Sequence, residues 1–269
     1  MYAFHGNIVK NNDILGLYIL IDARKSVTYR NYILWKTVKE HNETYTFKKG
    51  ETFNCKCKCS LIWIHGYNTS FTKALSNFEA VEKLYKKAGG KCCVYGFAWN
   101  SDCGGMHFHA AQDAAIHTAN KALTEFIRDL RYTCPKTRIH IGTHSLGALL
   151  ALESLTNSKT KVDNVILTNP AVDNEVLEPG EKYSDAINNT NSITVAYSKY
   201  DNILEFFYSI AELDNALGET GSENGVLPNI EQKDYTTQFG NDHSAVYEDP
   251  PLTFPQHKTF WHDSVKKFK

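Results

Sequence analysis

The twelve residues Ile139–Leu150 (IHIGTHSLGALL) constrain this chain more than any other stretch. An apolar strand, Arg138–Gly142, leads to Ser145, and an apolar helix, Leu146–Thr156, starts with no loop before it. A turn that sharp strains its central residue, and the residues two positions away must be small so that strand and helix can pass. Gly147 meets this condition downstream; upstream, Thr143 stands where glycine is usual, with Gly142 one position earlier. A serine held this way presents its hydroxyl beyond the carboxyl end of a strand, where open parallel sheets place their chemistry. The competing reading is that Ser145 merely caps the helix.

The surrounding pattern agrees with a parallel sheet. Leu61–Ile64, Cys92–Ala98, Arg138–Gly142, Val162–Thr168, Ser192–Ser198 and Asn229–Thr236 read as strands. Helical runs at Ser70–Ala88, Ala110–Arg131, Leu146–Thr156, Ile203–Leu217 and Lys258–Phe268 alternate with them. Such a succession predicts a mostly parallel sheet with helices on both faces. Residues 1–58 read as a β-rich section, with a strand at Leu15–Asp22 and a hairpin of Tyr32–Val38 with Thr44–Lys48 across Glu40–Glu43. This section is expected to supply antiparallel strands to a mixed sheet. With residues 59–269 as catalytic core, the whole chain reads as a single domain.

Strand Leu61–Ile64 ends in His65-Gly66-Tyr67-Asn68, a second motif that complements the first. In an α/β-hydrolase fold a strand ending in His-Gly supplies half of the oxyanion hole. The donors would be the backbone N–H groups of Tyr67 and of Leu146, after the nucleophile. His65, Gly66, Asn68 and His144 are the further candidates for lining the substrate site, with Asn68 expected to be buried beside it; His144 reads above all as a structural brace of the elbow, and an ordinary turn with Asn68 as helix cap is the plainer alternative. The run HGYNTSF, then Phe97-Ala98-Trp99, an Asp113-bearing helix and THSLG resemble a branch of α/β hydrolases of unassigned function from bacteria and their viruses, with motifs HGYN and AHSMG. The resemblance covers residues 60–155 closely and the C-terminal third loosely. It implies an esterase-like fold and triad rather than a substrate. Trp99-Asn100 departs from the Trp-Pro usual in that branch.

In this fold the order is Ser, then acid, then His. The acid should follow the second strand after the elbow, which selects Asp201; Asp173 after the preceding strand is the runner-up, and Asp201 could instead cap the helix near Ile203. Two histidines compete for the base. His257 directly precedes the last helix and is favoured; His243 follows the last strand and is the alternative, because Pro250-Pro251 stops a helix from starting after it. A histidine with an ordinary pKa near 6.5 suits the role. The expected activity is cleavage of a carboxylic ester or thioester through an acyl-enzyme on Ser145, on a small-molecule acyl substrate, with no cofactor or metal. An amidase or peptidase with the same triad, or an inactive binding module, remains open.

Composition removes other classes. A net charge of -1 with 22% charged residues gives no basic face for nucleic acid. No apolar run is long enough for a secretion signal or a bilayer span, so a cytoplasmic protein is expected. Seven cysteines, an odd number, read as buried thiols in a reducing compartment. The run Cys55-Lys56-Cys57-Lys58-Cys59 places three thiols on one strand face and, with Cys92 or Cys93, admits a zinc reading; it lacks knuckle spacing. His107 and His109 form a second, weaker metal candidate in a loop that would rim the pocket. The aromatics in Leu204–Tyr208 could be core or could line an acyl pocket.

Overall fold

Apolar runs too short and too continuous for amphipathic helices become strands buried on both faces. The structure, a computed structural model, describes residues 18–22, 32–38, 41–47, 53, 55–103, 107–248 and 260–269, the first three segments as backbone. The strands are β1 (Tyr18–Asp22), β2 (Tyr32–Val38), β3 (His41–Phe47), β4 (Cys59–Ile64), β5 (Cys93–Ala98), β6 (Arg138–His144), β7 (Val162–Thr168), β8 (Thr190–Tyr197) and β9 (Ile230–Asp234). Seven of them form one sheet in the order β1-β5-β4-β6-β7-β8-β9, with every pairing parallel. All six residues of β4 are buried, as expected for a central parallel strand with helices on both sides.

The N-terminal section differs from expectation. β1 joins the main sheet parallel to β5, while β2 and β3 pair antiparallel in a separate two-stranded sheet. Among the described residues the main sheet is therefore not mixed. The hairpin turn is also tighter, with Val38 opposite His41, so His41–Glu43 belong to a strand. Three polar residues followed by threonines alternating with aromatics (HNETYTF) suit a strand as well as a turn, and pairing decided between them.

Helix α1 (Phe71–Lys87) begins where the Ser70 hydroxyl accepts the Lys73 N–H, and it ends ahead of Gly89 in the left-handed region. Its apolar side and the helix Phe260–Lys267 cover one sheet face, including Trp63, Phe78, Tyr85 and Trp261. Helices α2 (Phe108–Thr118) and α3 (Thr124–Thr133) run on through a single wide turn at Ala119–Leu123. Ala111, Ala115 and Ala119 recur every four residues and are fully buried, a small-residue stripe that lets α2 lie close to α4 (Gly147–Asn157). The helix expected over Ile203–Leu217 stops at Glu212. Leu213 takes a left-handed conformation (φ +58), and a short turn resumes at Leu217.

The cysteines are paired, contrary to expectation. Cys55–Cys134, Cys57–Cys93 and Cys59–Cys92 form three disulfides, and Cys103 alone is free. Only Cys59 of the CKCKC run lies within a strand; Cys55 and Cys57 precede it in turns. An odd total thus hides six partnered residues, and the cysteines no longer argue for a reducing compartment. Among the described residues no helix is long and apolar enough to cross a membrane.

Candidate active site

Ser145 sits between β6 and α4 with φ +53, a region that non-glycine residues avoid at a cost of order 1–3 kcal/mol. The strain is held by neighbours. The Ser145 N–H donates to the Thr168 carbonyl of β7 (2.9 Å), and the Ser145 carbonyl accepts the Ala148 N–H (3.0 Å). Leu146 occupies the N-cap position of α4, and no side chain caps the helix there, so the Ser145 hydroxyl is not used as a cap. Thr143 is fully buried in β6 and is tolerated where glycine is usual. Gly142 serves a different purpose: a Cβ there would lie 2.4 Å from the Trp63 ring.

The His-Gly loop after β4 is pressed onto this turn. A Cβ on Gly66 would come within 2.8 Å of the Ser145 Cβ and 3.2 Å of the His144 carbonyl oxygen. A Cβ on Gly147 would meet the carbonyl oxygens of His65 and Ile64 at 2.7 and 2.8 Å. Both glycines are therefore required by close backbone approach. Tyr67 follows, half-buried, with its ring edge-on to Phe108 at 5.5 Å and its hydroxyl accepting the His107 N–H (3.2 Å).

Asp201 follows β8 and is fully buried. Its Oδ2 accepts from His243 Nδ1 at 2.7 Å and from the Asn169 side-chain amide; its Oδ1 accepts the N–H groups of Ile203 and Leu204, each at 3.1 Å. Burial works to raise this carboxyl. The hydrogen bond and charge of His243, with Asn169 and the Leu204 N–H, outweigh it and hold the carboxyl below the usual carboxylate range. Asp201 is thus helix cap and histidine partner at once. The histidine so held is His243; the favoured His257 lies outside the described residues. The runner-up acid Asp173 spends its Oδ1 on the Glu175 N–H (3.0 Å) and pairs by its backbone with Ala216.

Of the two histidines named for the substrate site, His144 is the brace of the elbow that the sequence suggests, and both it and His65 are buried and bonded inside the protein. His144 Nε2–H donates to the His243 carbonyl (2.7 Å), and its ring lies 4.7 Å from the His243 ring and 5.0 Å from Tyr247. Burial, with the neighbouring His243, pushes its pKa down to about 3, so it stays neutral. It ties the Ser145 turn to the loop that carries His243. His65 stacks on Trp99 (5.7 Å); its Nδ1–H donates to the Gly66 carbonyl (3.0 Å), and its Nε2 accepts the Trp99 N–H (3.2 Å). It stiffens the loop that carries Gly66. Asn68 is exposed rather than buried, adopts φ +49 and donates its N–H to Ser101; the α1 cap is Ser70.

Sequence reasoning missed Asn169. It holds the Asp201 carboxylate from the end of β7 with φ +43, and its place directly after a strand was the available signal. The metal candidates do not assemble as such. His109 is exposed and meets Gln112 (3.0 Å) and Glu212 (3.4 Å). Cys59, Cys92 and His140 converge with their ligand atoms within 4.8 Å, but the two sulfurs are joined to each other and neither is a thiolate.

Solved structures with a similar fold include a protein placed in the α/β hydrolase superfamily from Xanthomonas campestris pv. campestris, 14% identical over 70% of this chain and 94% of its own, with a TM-score of 0.39. Esterase PE8 is 13% identical over 71% of this chain and 91% of its own, at 0.43. A Trichoderma reesei cutinase in complex with a C11Y4 phosphonate inhibitor is 9% identical over 79% and 75%, at 0.37. No curated protein matches the chain. The sequence pattern of the α/β hydrolases of unknown function (DUF900) matches residues 50–232, which include the His-Gly loop, the Ser145 turn and Asp201, and the chain belongs to that family.

Proposed function

We propose that the protein is a serine hydrolase that cleaves a carboxylic ester or thioester of a small-molecule acyl substrate. The observation that carries this reading is the bond at 2.7 Å between the half-buried His243 and the fully buried Asp201, on a loop bonded to the residue beside Ser145. Asp201 fixes the His243 tautomer, because Nδ1–H points at the carboxylate and leaves Nε2 as the base. His243 takes the Ser145 proton as the oxygen attacks the acyl carbon. The N–H groups of Tyr67 and Leu146 receive the oxyanion. His243 returns the proton to the departing alcohol or thiol, and the acyl group stays on Ser145. Water then attacks with His243 again as base, and the acid leaves.

The three disulfides support a working place that is oxidising rather than the cytoplasm. A fluorophosphonate probe tests the chemistry. Wild type should label, while S145A and H243A should not. A folded wild type that fails to label overturns the proposal.

A further inference from the structure

Large apolar side chains exposed singly are ordinary on a protein surface; a contiguous group marks an interaction site. Among the described residues seven large apolar side chains are exposed, and six fall in one segment. Tyr200, Ile203, Phe206, Phe207, Ile210 and Leu213 are 43% to 90% exposed; Tyr132 is the seventh. Their spacing is helical: Ile203, Phe207 and Ile210 form one row, and Phe206, Ile210 and Leu213 the next. The opposite side, Leu204 and Tyr208, is buried, so of the aromatics in this segment Tyr208 belongs to the core, whereas Phe206 and Phe207 face solvent. The segment includes a wide helical turn at Leu204–Tyr208, a form that recurs at functional positions.

The segment also starts at the proposed site. Its first N–H groups, Ile203 and Leu204, are those that bind Asp201 Oδ1. Tyr208 packs edge-on against Phe108 (5.9 Å), and Phe108 against Tyr67 of the His-Gly loop (5.5 Å). Charge then narrows what can cover it. Residues 200–213 contain Asp201, Glu205 and Glu212 but no Lys or Arg; Lys199 beside Tyr200 is paired with Asp234, His109 lies against Glu212, and Asp173 and Asp214 lie near Tyr208 with Glu212. An acidic rim repels anionic lipid, so the face suits an uncharged or zwitterionic one.

We propose that this face seats the protein on a neutral or zwitterionic lipid surface, and that its substrates are water-insoluble esters presented there. An exposed apolar face on a helix held to the protein by its other side gains affinity for such an interface from the apolar area it buries. The substrate part of the proposal rests on the hydrolase reading above.

The test uses F206Q/F207Q/I210Q, which changes three exposed side chains and none of the proposed machinery. Flotation with phosphatidylcholine vesicles measures docking. Hydrolysis of p-nitrophenyl acetate in solution is compared with that of a long-chain ester dispersed in the same vesicles. Wild type should bind the vesicles, less so when phosphatidylserine is added. The triple variant should lose on the order of 100-fold in partitioning. Its turnover of the soluble ester should be unchanged while turnover of the dispersed ester falls with binding. A wild type that hydrolyses the soluble ester yet does not float overturns the docking surface and leaves the hydrolase reading intact. Dimers that the triple variant abolishes, without flotation, overturn it in favour of a second copy. Flotation by a protein that hydrolyses neither ester overturns the substrate assignment.

Discussion

The two ends of the parallel sheet are held by different means. At the amino ends of β4 and β5, the pairs Cys57–Cys93 and Cys59–Cys92 bind neighbouring strands covalently, and Cys55–Cys134 ties in the end of α3. At the carboxyl ends no bond of that kind occurs among the described residues. There Ser145, Asn68 and Asn169 adopt left-handed backbone, and Gly66 and Gly147 allow chain segments to meet at distances no Cβ would permit. One end is fastened and the other is strained. The strained end needs a framework that cannot relax around it, and hydrogen bonds through buried side chains supply it: His65 to Trp99, His144 to His243, Asn169 to Asp201.

The largest expected effect lies at the strained end. S145A should lower kcat on the order of 10⁶-fold, and D201N about 10⁴-fold by leaving His243 without its orienting carboxylate. Both are read from steady-state ester hydrolysis, and an S145A protein that keeps its rate removes the chemistry from this end altogether. Reduction probes the fastened end. A single loop of 79 residues closed by Cys55–Cys134 contributes up to about 4.5 kcal/mol through chain entropy. A phosphine reductant should therefore lower the thermal midpoint well before it changes the rate at low temperature. Equal sensitivity of both would merge the two ends into one unit.

Acid provides a smaller, graded probe. Burial pushes His144 down to about 3 and His140 to about 4. Between those values and about 6.5 the unfolded chain binds protons that the folded chain refuses, so stability is full above pH 6.5 and falls as the pH drops. Each histidine should cost about 2 kcal/mol at pH 5, and H140Q should flatten part of that slope in denaturant melts. The smallest effect isolates backbone strain. Ser145→Gly should be more stable than Ser145→Ala by about 1 kcal/mol, since glycine accepts φ +53. No difference between them would mean the turn is not strained.

The strained end was the more legible in the sequence. Strand, serine and helix in direct succession permit few geometries, and strand order led to Asp201. The histidine partner of Asp201 was not legible. His257 and His243 both follow the last strand; the fold brings His243 Nδ1 to Asp201, while His257 lies outside the described residues. Asn68 looked buried because its motif is, yet its side chain faces outward, since β4 has ended and alternation no longer applies. The cysteine pairing was hidden for a different reason. Partners 33 to 79 residues apart are set by which strands become neighbours, which local pattern does not encode. Likewise Leu213 ends a helix that periodicity alone would continue, because its apolar neighbours face solvent instead of a core.

The three bonds are nested, Cys59–Cys92 inside Cys57–Cys93 inside Cys55–Cys134. On a chain emerging from its amino end, Cys92 meets Cys59 as the nearest earlier thiol, and Cys93 then meets Cys57. The inner two bonds can thus close in the order in which their thiols appear. One interruption is built in: Cys103 arrives before Cys134 while Cys55 is still waiting. Newly made protein should therefore pass through a Cys55–Cys103 detour, and C103S should shorten the time to the fully paired form in a pulse-chase on non-reducing gels.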